Sequence, residues 1–125
     1  MTVRRAKAED FPAIEGIIRQ FPEQLMQVHL PEPKEFFVAE ESGTLVACCA
    51  LEVYSKRLAE IRSLAVLPQH QGRGIASKLI DACLTAAKDE GVYEVISITG
   101  SPAFFEKHGF GTFNKEKYAM IRILD

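Results

Sequence analysis

The sequence predicts a single mixed α/β domain, and three observations carry that prediction. Two apolar, β-rich runs are joined by the short turn Ser42-Gly43-Thr44; a continuously apolar run, Leu64-Ala65-Val66, stops at Pro68; and a long amphipathic helix pattern follows. The 125 residues fit one domain of ordinary size, so residues 1–125 are read as one unit, without linker or internal repeat. Hydrophobic residues make up 47% and charged residues 26%, values that exclude disorder, collagen-like repeats and low complexity. A chain of this length buries roughly two-thirds of its unfolded surface and needs neither metal nor disulfides to fold.

The elements follow in order. Thr2–Ala6 reads as a first strand. Glu9 and Asp10 then occupy a first helical turn, where negative side chains meet the positive end of the helix dipole. Pro12 is tolerated there because the earliest helical N–H groups have no partner. Ile14, Ile17, Ile18 and Phe21 keep helical spacing up to Pro22. Residues 22–33 read as irregular, with one helical turn around Gln24–Val28. Glu35–Glu41 and Leu45–Tyr54 form a hairpin, Ser55-Lys56-Arg57 a second turn, and Ala59–Val66 a central strand covered on both faces. A helix runs from about Arg73 to Glu90, with Gly91 as its C-terminal signal. Val92–Ile98 is a further strand, Pro102–Lys107 a short helix ended by Gly109, and Phe110–Phe113 and Tyr118–Leu124 are closing strands.

Composition narrows the partners. A formal charge of −2 argues against nucleic acid, whose binding rests on clustered positive charge. The three cysteines include no CxxC pair and no Cys/His ligand spacing, so they read as free thiols in a reducing cytosol. No apolar run approaches the roughly 18 residues of a membrane span, and Met1-Thr2-Val3-Arg4-Arg5 lacks a signal-peptide core. The expectation is a cytoplasmic protein with no membrane, metal or nucleic-acid partner.

Chemistry concentrates in Gln71-Gly72-Arg73-Gly74-Ile75-Ala76, between the buried strand and the long helix. Glycines there let backbone N–H groups approach a ligand closely, and the unpaired N–H groups of a helix start form an anion site. Arg73 can add a charged contact worth roughly 1.5–3 kcal/mol. Neither a GxGxxG dinucleotide fingerprint nor a P-loop is present. A bare Gly-x-Gly connection between strand and helix is the competing reading.

Gln71-x-x-Gly74-x-Ala76 after Leu64-Ala65-Val66-x-Pro68, followed later by Phe104-Phe105-Glu106-Lys107-His108-Gly109-Phe110, resembles the GCN5-related N-acetyltransferase family. The opening strand and helix and the hairpin extend the resemblance over essentially the whole chain. It implies a mixed, mostly antiparallel sheet with helices on both faces, and an enzyme using acetyl-CoA and an amine. In that family the strand before the motif splays from its neighbour and pairs with the pantetheine arm, at positions matching Leu64, Ala65 and Val66. The loop from Gln71 through Gly72, Arg73, Gly74, Ile75 and Ala76 would hold the pyrophosphate, with Arg73 and Ser77 as side-chain contacts. Thr99, Phe104, Phe105 and Lys107 would flank the pantetheine and adenine. Residues 59–66 and 104–107 look most like the amino-acid N-acetyltransferase branch that makes N-acetylglutamate. The family is often dimeric through strand pairing, a homodimer that the sequence itself does not show.

Acetyl transfer requires a neutral amine, hence a general base. Glu60, four residues before Leu64, is expected on the same strand face and is the candidate; its competing role is an exposed strand glutamate. Arg62 on that face would bind an acceptor carboxylate bidentately, against the reading of an ordinary surface arginine. Many family members carry, where Phe105 stands, a tyrosine that protonates the departing thiolate; Phe105 has no proton to give. Tyr54 and Tyr118 are substitutes, each also readable as a core or edge aromatic. Cys48 and Cys49, adjacent in a strand, should face opposite sides, and Cys83 lies on the helix stripe; all three read as small buried hydrophobes. His29, His70 and His108 form no metal set. The reading is a direct-attack N-acetyltransferase acting on a small amine, an amino acid such as glutamate. A non-catalytic CoA-binding module and a protein N-acetyltransferase are its alternatives.

Overall fold

Ser42 and Gly43 both have positive φ, 52° and 79°, the backbone that a two-residue type I′ turn requires. This turn joins β2 (Phe36–Glu41) to β3 (Thr44–Val53), at the centre of the sheet. The computed structural model describes residues 1–112 and 120–124. β1 (Thr2–Arg5) pairs antiparallel with β2, and β3 pairs antiparallel with β4 (Leu58–Val66). The connection from β3 to β4 is fixed by Ser55, whose hydroxyl accepts the N–H groups of Arg57 and Leu58 at 3.1 and 3.2 Å. β5 (Glu94–Ile96) closes the order β1-β2-β3-β4-β5 and runs parallel to β4. Such a pair needs a long crossover, which α2 (Ile75–Asp89) supplies.

Side chains alternate across the strands with period two, so each strand feeds two cores. Phe36, Val38, Cys48 and Ala50 meet Ile14, Ile17 and Ile18 of α1 (Phe11–Ile18) on one face. Phe37, Ala39, Cys49 and Leu51 meet Ile75, Leu79 and Cys83 of α2 on the other. The sheet therefore carries helices on both faces, as expected, and Cys48 and Cys49 do face opposite sides. Burial pushes the Cys48 thiol up to about 12. Cys49 is raised by its contact with Cys83, Sγ to Sγ 3.7 Å, and by burial. At neutral pH both stay thiols, the weakly nucleophilic form.

The first helical segment starts with a separate 3-10 turn, Ala8–Asp10, and ends at Ile18 rather than reaching Phe21. There Gln20 and Phe21 tighten the chain by donating to Ile17 and Ile18 carbonyls at 3.1 and 3.0 Å, ahead of Pro22. The helical turn expected around Gln24–Val28 is absent; residues 22–24 make a turn closed by Leu25 N–H on the Phe21 carbonyl at 3.0 Å. The Gln27 side-chain amide organises this loop, lying 3.0 Å from the Ile18 carbonyl oxygen and 3.1 Å from that of Leu25.

Both later helices end in the same device. Gly91 (φ 74°) donates to Lys88 O and Val92 to Ala87 O, a Schellman cap for α2. That cap consumes Val92, one reason β5 is shorter than the predicted Val92–Ile98. After α3 (Pro102–Glu106), Gly109 (φ 86°) donates to Glu106 O and Phe110 to Phe105 O. Phe110 and Phe105 pack edge to face at 5.2 Å, the hydrophobic contact that accompanies such caps. Phe110 thus caps a helix instead of opening the strand predicted at Phe110–Phe113. Residues 110–112 and 120–124 form no strand, and residues 113–119, including the remainder of both predicted strands and Tyr118, lie outside the described residues.

Candidate active site

β4 contains a bulge. Arg62 pairs with Ala50 and Ala65 with Cys48, so one extra residue is inserted on β4, where Ser63 takes φ 56°. The insertion reverses the side-chain alternation. Ala59 and Ile61 face α2, and after the bulge Leu64 and Val66 do so as well, while Ala65 faces α1. Glu60 and Arg62 therefore share a face, but Glu60 and Leu64 do not. The expected common face fails because the period-two count skips the inserted residue.

The bulge coincides with a fork in the sheet. β4 and β5 are paired only through Leu58–Glu94, Ala59–Val95 and Glu60–Ile96. Past that point the Ser97 hydroxyl reaches the Ile61 carbonyl at 3.5 Å, and from Arg62 onward, among the described residues, β4 pairs with β3 alone. A cleft of about 1240 Å³ opens between the parted strands, with Glu60–Val66 on one wall and Ser97–Ser101 on the other. Its floor includes Phe104 and Phe105, and its far end is the loop leading into α2.

That loop is built for close backbone approach. Gly72 and Gly74 have φ of 77° and 80°, conformations that L side chains adopt only with strain. A Cβ at either position would meet no heavy atom within 4 Å, so the space beside the loop is open. Gly74 is the N-cap of α2, and Lys78 N–H makes the first intrahelical bond, to Gly74 O at 3.2 Å. The N–H groups of Ile75, Ala76 and Ser77 thus stand at the positive end of the helix without an intrahelical acceptor. Gln71 steadies the loop from below, its Nε2 donating to the Val66 carbonyl at 2.9 Å.

The predicted residues separate into those that meet at this cleft and those that do not. Leu64, Ala65, Val66, Gln71, Gly72, Gly74, Ile75, Ala76, Ser77, Thr99, Phe104 and Phe105 line it, and Glu60 and Arg62 line its opposite end. Arg73 is turned away: its guanidinium grips both oxygens of Glu41 at 3.2 and 3.0 Å and lies 3.1 Å from His70 Nδ1. This pairing holds the Glu41 carboxyl below its usual range. Lys107 is exposed beyond α3 and takes no part in the lining. Phe105 is 6% exposed and belongs mainly to the α2-side core, edge-on to Phe104 at 5.4 Å. Among the described residues, no three His, Cys, Asp or Glu side chains converge on a common point, and no helix is long and apolar enough to cross a membrane.

At the end of the cleft opposite the loop, a polar cluster sits on the α1 face of the sheet. Tyr54 donates its hydroxyl to Glu60 Oε1 at 2.5 Å. Partial shielding of the phenol from water and the adjoining Glu60 carboxylate raise the Tyr54 pKa above its ordinary value. Arg62 pairs closely with Glu52 and donates to the His29 carbonyl at 3.1 Å. Glu52 and Glu60 are direct cross-strand partners, so two carboxylates stand side by side here, with the one guanidinium paired to Glu52 and the Tyr54 hydroxyl to Glu60. Glu52 and the Glu41 partner of Arg73 escape a reading of the sequence, because the first pairing depends on strand register and the second on where the loop before α2 comes to lie.

A forked strand edge, a glycine-turned helix start and an acidic cluster at the far end define a site for a long ligand. The chain belongs to the acetyltransferase (GNAT) family, whose model matches residues 2–110. It is 34% identical to an uncharacterized N-acetyltransferase of Chlorobaculum tepidum, over 93% of this chain and 79% of that protein. It is 37% identical to an amino-acid acetyltransferase of Mycobacterium tuberculosis, over 86% of this chain and 67% of that one. A crystal structure from Mycobacterium tuberculosis in complex with CoA superposes with a TM-score of 0.84 at 35% identity, covering 90% of this chain and 73% of that chain. N-acetylglutamate synthase from Neisseria gonorrhoeae, complexed with coenzyme A and N-acetyl-glutamate, superposes with a TM-score of 0.81 at 28% identity, over 93% of this chain but 30% of that longer one.

Proposed function

We propose that this acetyltransferase moves an acetyl group from acetyl-CoA to the amine of a small molecule, an amino acid such as glutamate, by direct attack in a ternary complex. The observation that carries this reading is the β4–β5 fork opening onto the Gly74 helix start. The donor fits the residues present. The edge of β4 at Leu64, Ala65 and Val66 offers backbone groups to its arm, and the N–H groups around Gly72–Ser77 suit its phosphates. Acetyl-CoA supplies the activated acetyl thioester; the protein supplies position, charge and a proton acceptor.

Glu60 is the proposed acceptor of the ammonium proton, oriented by the Tyr54 hydroxyl. The excess of carboxylate over guanidinium among Glu52, Glu60 and Arg62 favours a cationic amine at this end. Arg62, already shared with Glu52 and the His29 carbonyl, would hold an acceptor carboxylate with its remaining donor capacity. The relatives named amino-acid acetyltransferase support an amino acid over a peptide N-terminus. Phe105 offers no proton, so water is assigned to the departing thiolate.

The test is a screen of glutamate, other amino acids, a polyamine and a peptide N-terminus, with release of free thiol as the readout. Turnover above acceptor-free hydrolysis with an amino acid, and not with the peptide, is the expected result. Preference for the peptide would replace the acceptor class. Thiol release no faster than hydrolysis with every amine would leave a CoA-binding module without chemistry.

A further inference from the structure

Ser77 is the one hydroxyl side chain on the first turn of α2 that lines the cleft, and it is not alone. Its Oγ lies 3.0 Å from His108 Nε2, and the other ring nitrogen of His108, Nδ1, lies 3.7 Å from Asp81 Oδ1. The ring is largely enclosed, its side chain 14% exposed, with Phe104 of α3 packed against it at 5.0 Å. His108 itself does not line the cleft. Asp81, one turn along α2, is the charged group facing the ring from that helix; the face toward α3 is aromatic.

We propose that His108 is a positioning residue that couples anion binding at the α2 start to uptake of a proton. This rests on the reading of the loop as the pyrophosphate site. In the neutral ring, the Asp81 carboxylate beside Nδ1 favours the tautomer with its proton there. Nε2 is then an acceptor, Ser77 donates its hydroxyl proton to it, and only oxygen lone pairs face the cleft, the wrong polarity for an anion. In the protonated ring Nε2–H donates to Ser77 Oγ instead. The Ser77 hydroxyl proton is then free to point into the cleft, and the ring adds a positive charge behind it. An anion in the loop therefore favours the protonated form, and by linkage protonation strengthens anion binding.

Dephospho-CoA is the suitable probe, because it keeps the pyrophosphate and lacks the phosphate monoester that would itself titrate near neutral pH. Titration calorimetry in buffers of different ionisation enthalpy reads the protons taken up on binding. For the wild-type protein we expect net uptake near pH 7, and an affinity about tenfold higher at pH 6 than at pH 8. His108→Gln should abolish both effects, and Ser77→Ala should weaken both, since it removes the hydroxyl bonded to His108 and leaves the charge of the ring. Affinity independent of pH with no uptake in the wild type would overturn the inference while leaving the pyrophosphate site in place. Uptake retained in full by His108→Gln would do the same. No binding at any pH would overturn the pyrophosphate reading and this inference with it.

Discussion

Glu60 holds its carboxylate 2.5 Å from the Tyr54 hydroxyl, at the acidic end of the cleft and on the α1 face of the sheet. Glu60→Gln preserves the shape and removes the proposed proton acceptor, so turnover should fall roughly 10²–10⁴-fold at neutral pH. The deficit should shrink as pH rises toward the amine pKa, where the nucleophile is already neutral; a variant with wild-type turnover at neutral pH would remove Glu60 from the mechanism. Phe105 belongs to a different account. Enclosed between Phe104 and Phe110, it should cost about 3–5 kcal/mol of stability when cut to Ala, read from the denaturant midpoint. At this scale residue type was legible and orientation was not. Glu60 and Arg62 share a face as a simple alternation predicts, but one inserted residue beside Ser63 separates them from Leu64. Arg73 reads as a phosphate ligand until the fold brings Glu41 beside it, thirty-two positions away along the chain.

Among the elements, the start of α2 carries the heaviest constraint. Gly74 at φ 80° tolerates no side chain without strain, so Gly74→Glu should lower stability by about 1–2 kcal/mol even without ligand. The entry to α1 depends on charge. Asp10 accepts the Lys7 N–H at 2.7 Å and pairs with Arg4 at 2.8 Å, and the Arg4 hydrogen bonds hold its carboxyl down to about 2. Because that value lies below the unfolded one, the pair's stabilisation is complete above about pH 4 and is lost as pH falls toward 2. Asp10→Asn should therefore melt below the wild type at pH 5–7 and converge with it near pH 2. Helices and strands with strong periodicity were readable to within a few residues. Phe110 was misread because a glycine followed by an apolar residue opens a strand or seals a helix equally well, and here it seals α3 by contact with Phe105.

For the whole molecule, the fork is the feature from which function follows. Among the described residues, five strands in the order β1-β2-β3-β4-β5 place the parallel β4–β5 pair at one end of the sheet. The bulge in β4 and the early end of β5 open that pair above the α2 N-terminus. No single segment of sequence encodes the cleft; it arises where a strand, a helix start and a cross-strand acidic cluster meet. The central claim, that this fork and loop hold CoA, is tested most directly by titration calorimetry of CoA against the wild-type protein and the folded Gly74→Glu variant, below its melting transition. The wild type should bind CoA and the variant at least about tenfold more weakly, since a carboxylate then stands where backbone N–H groups are proposed to meet phosphate. Equal affinity of the two proteins, or no binding by the wild type, would contradict it.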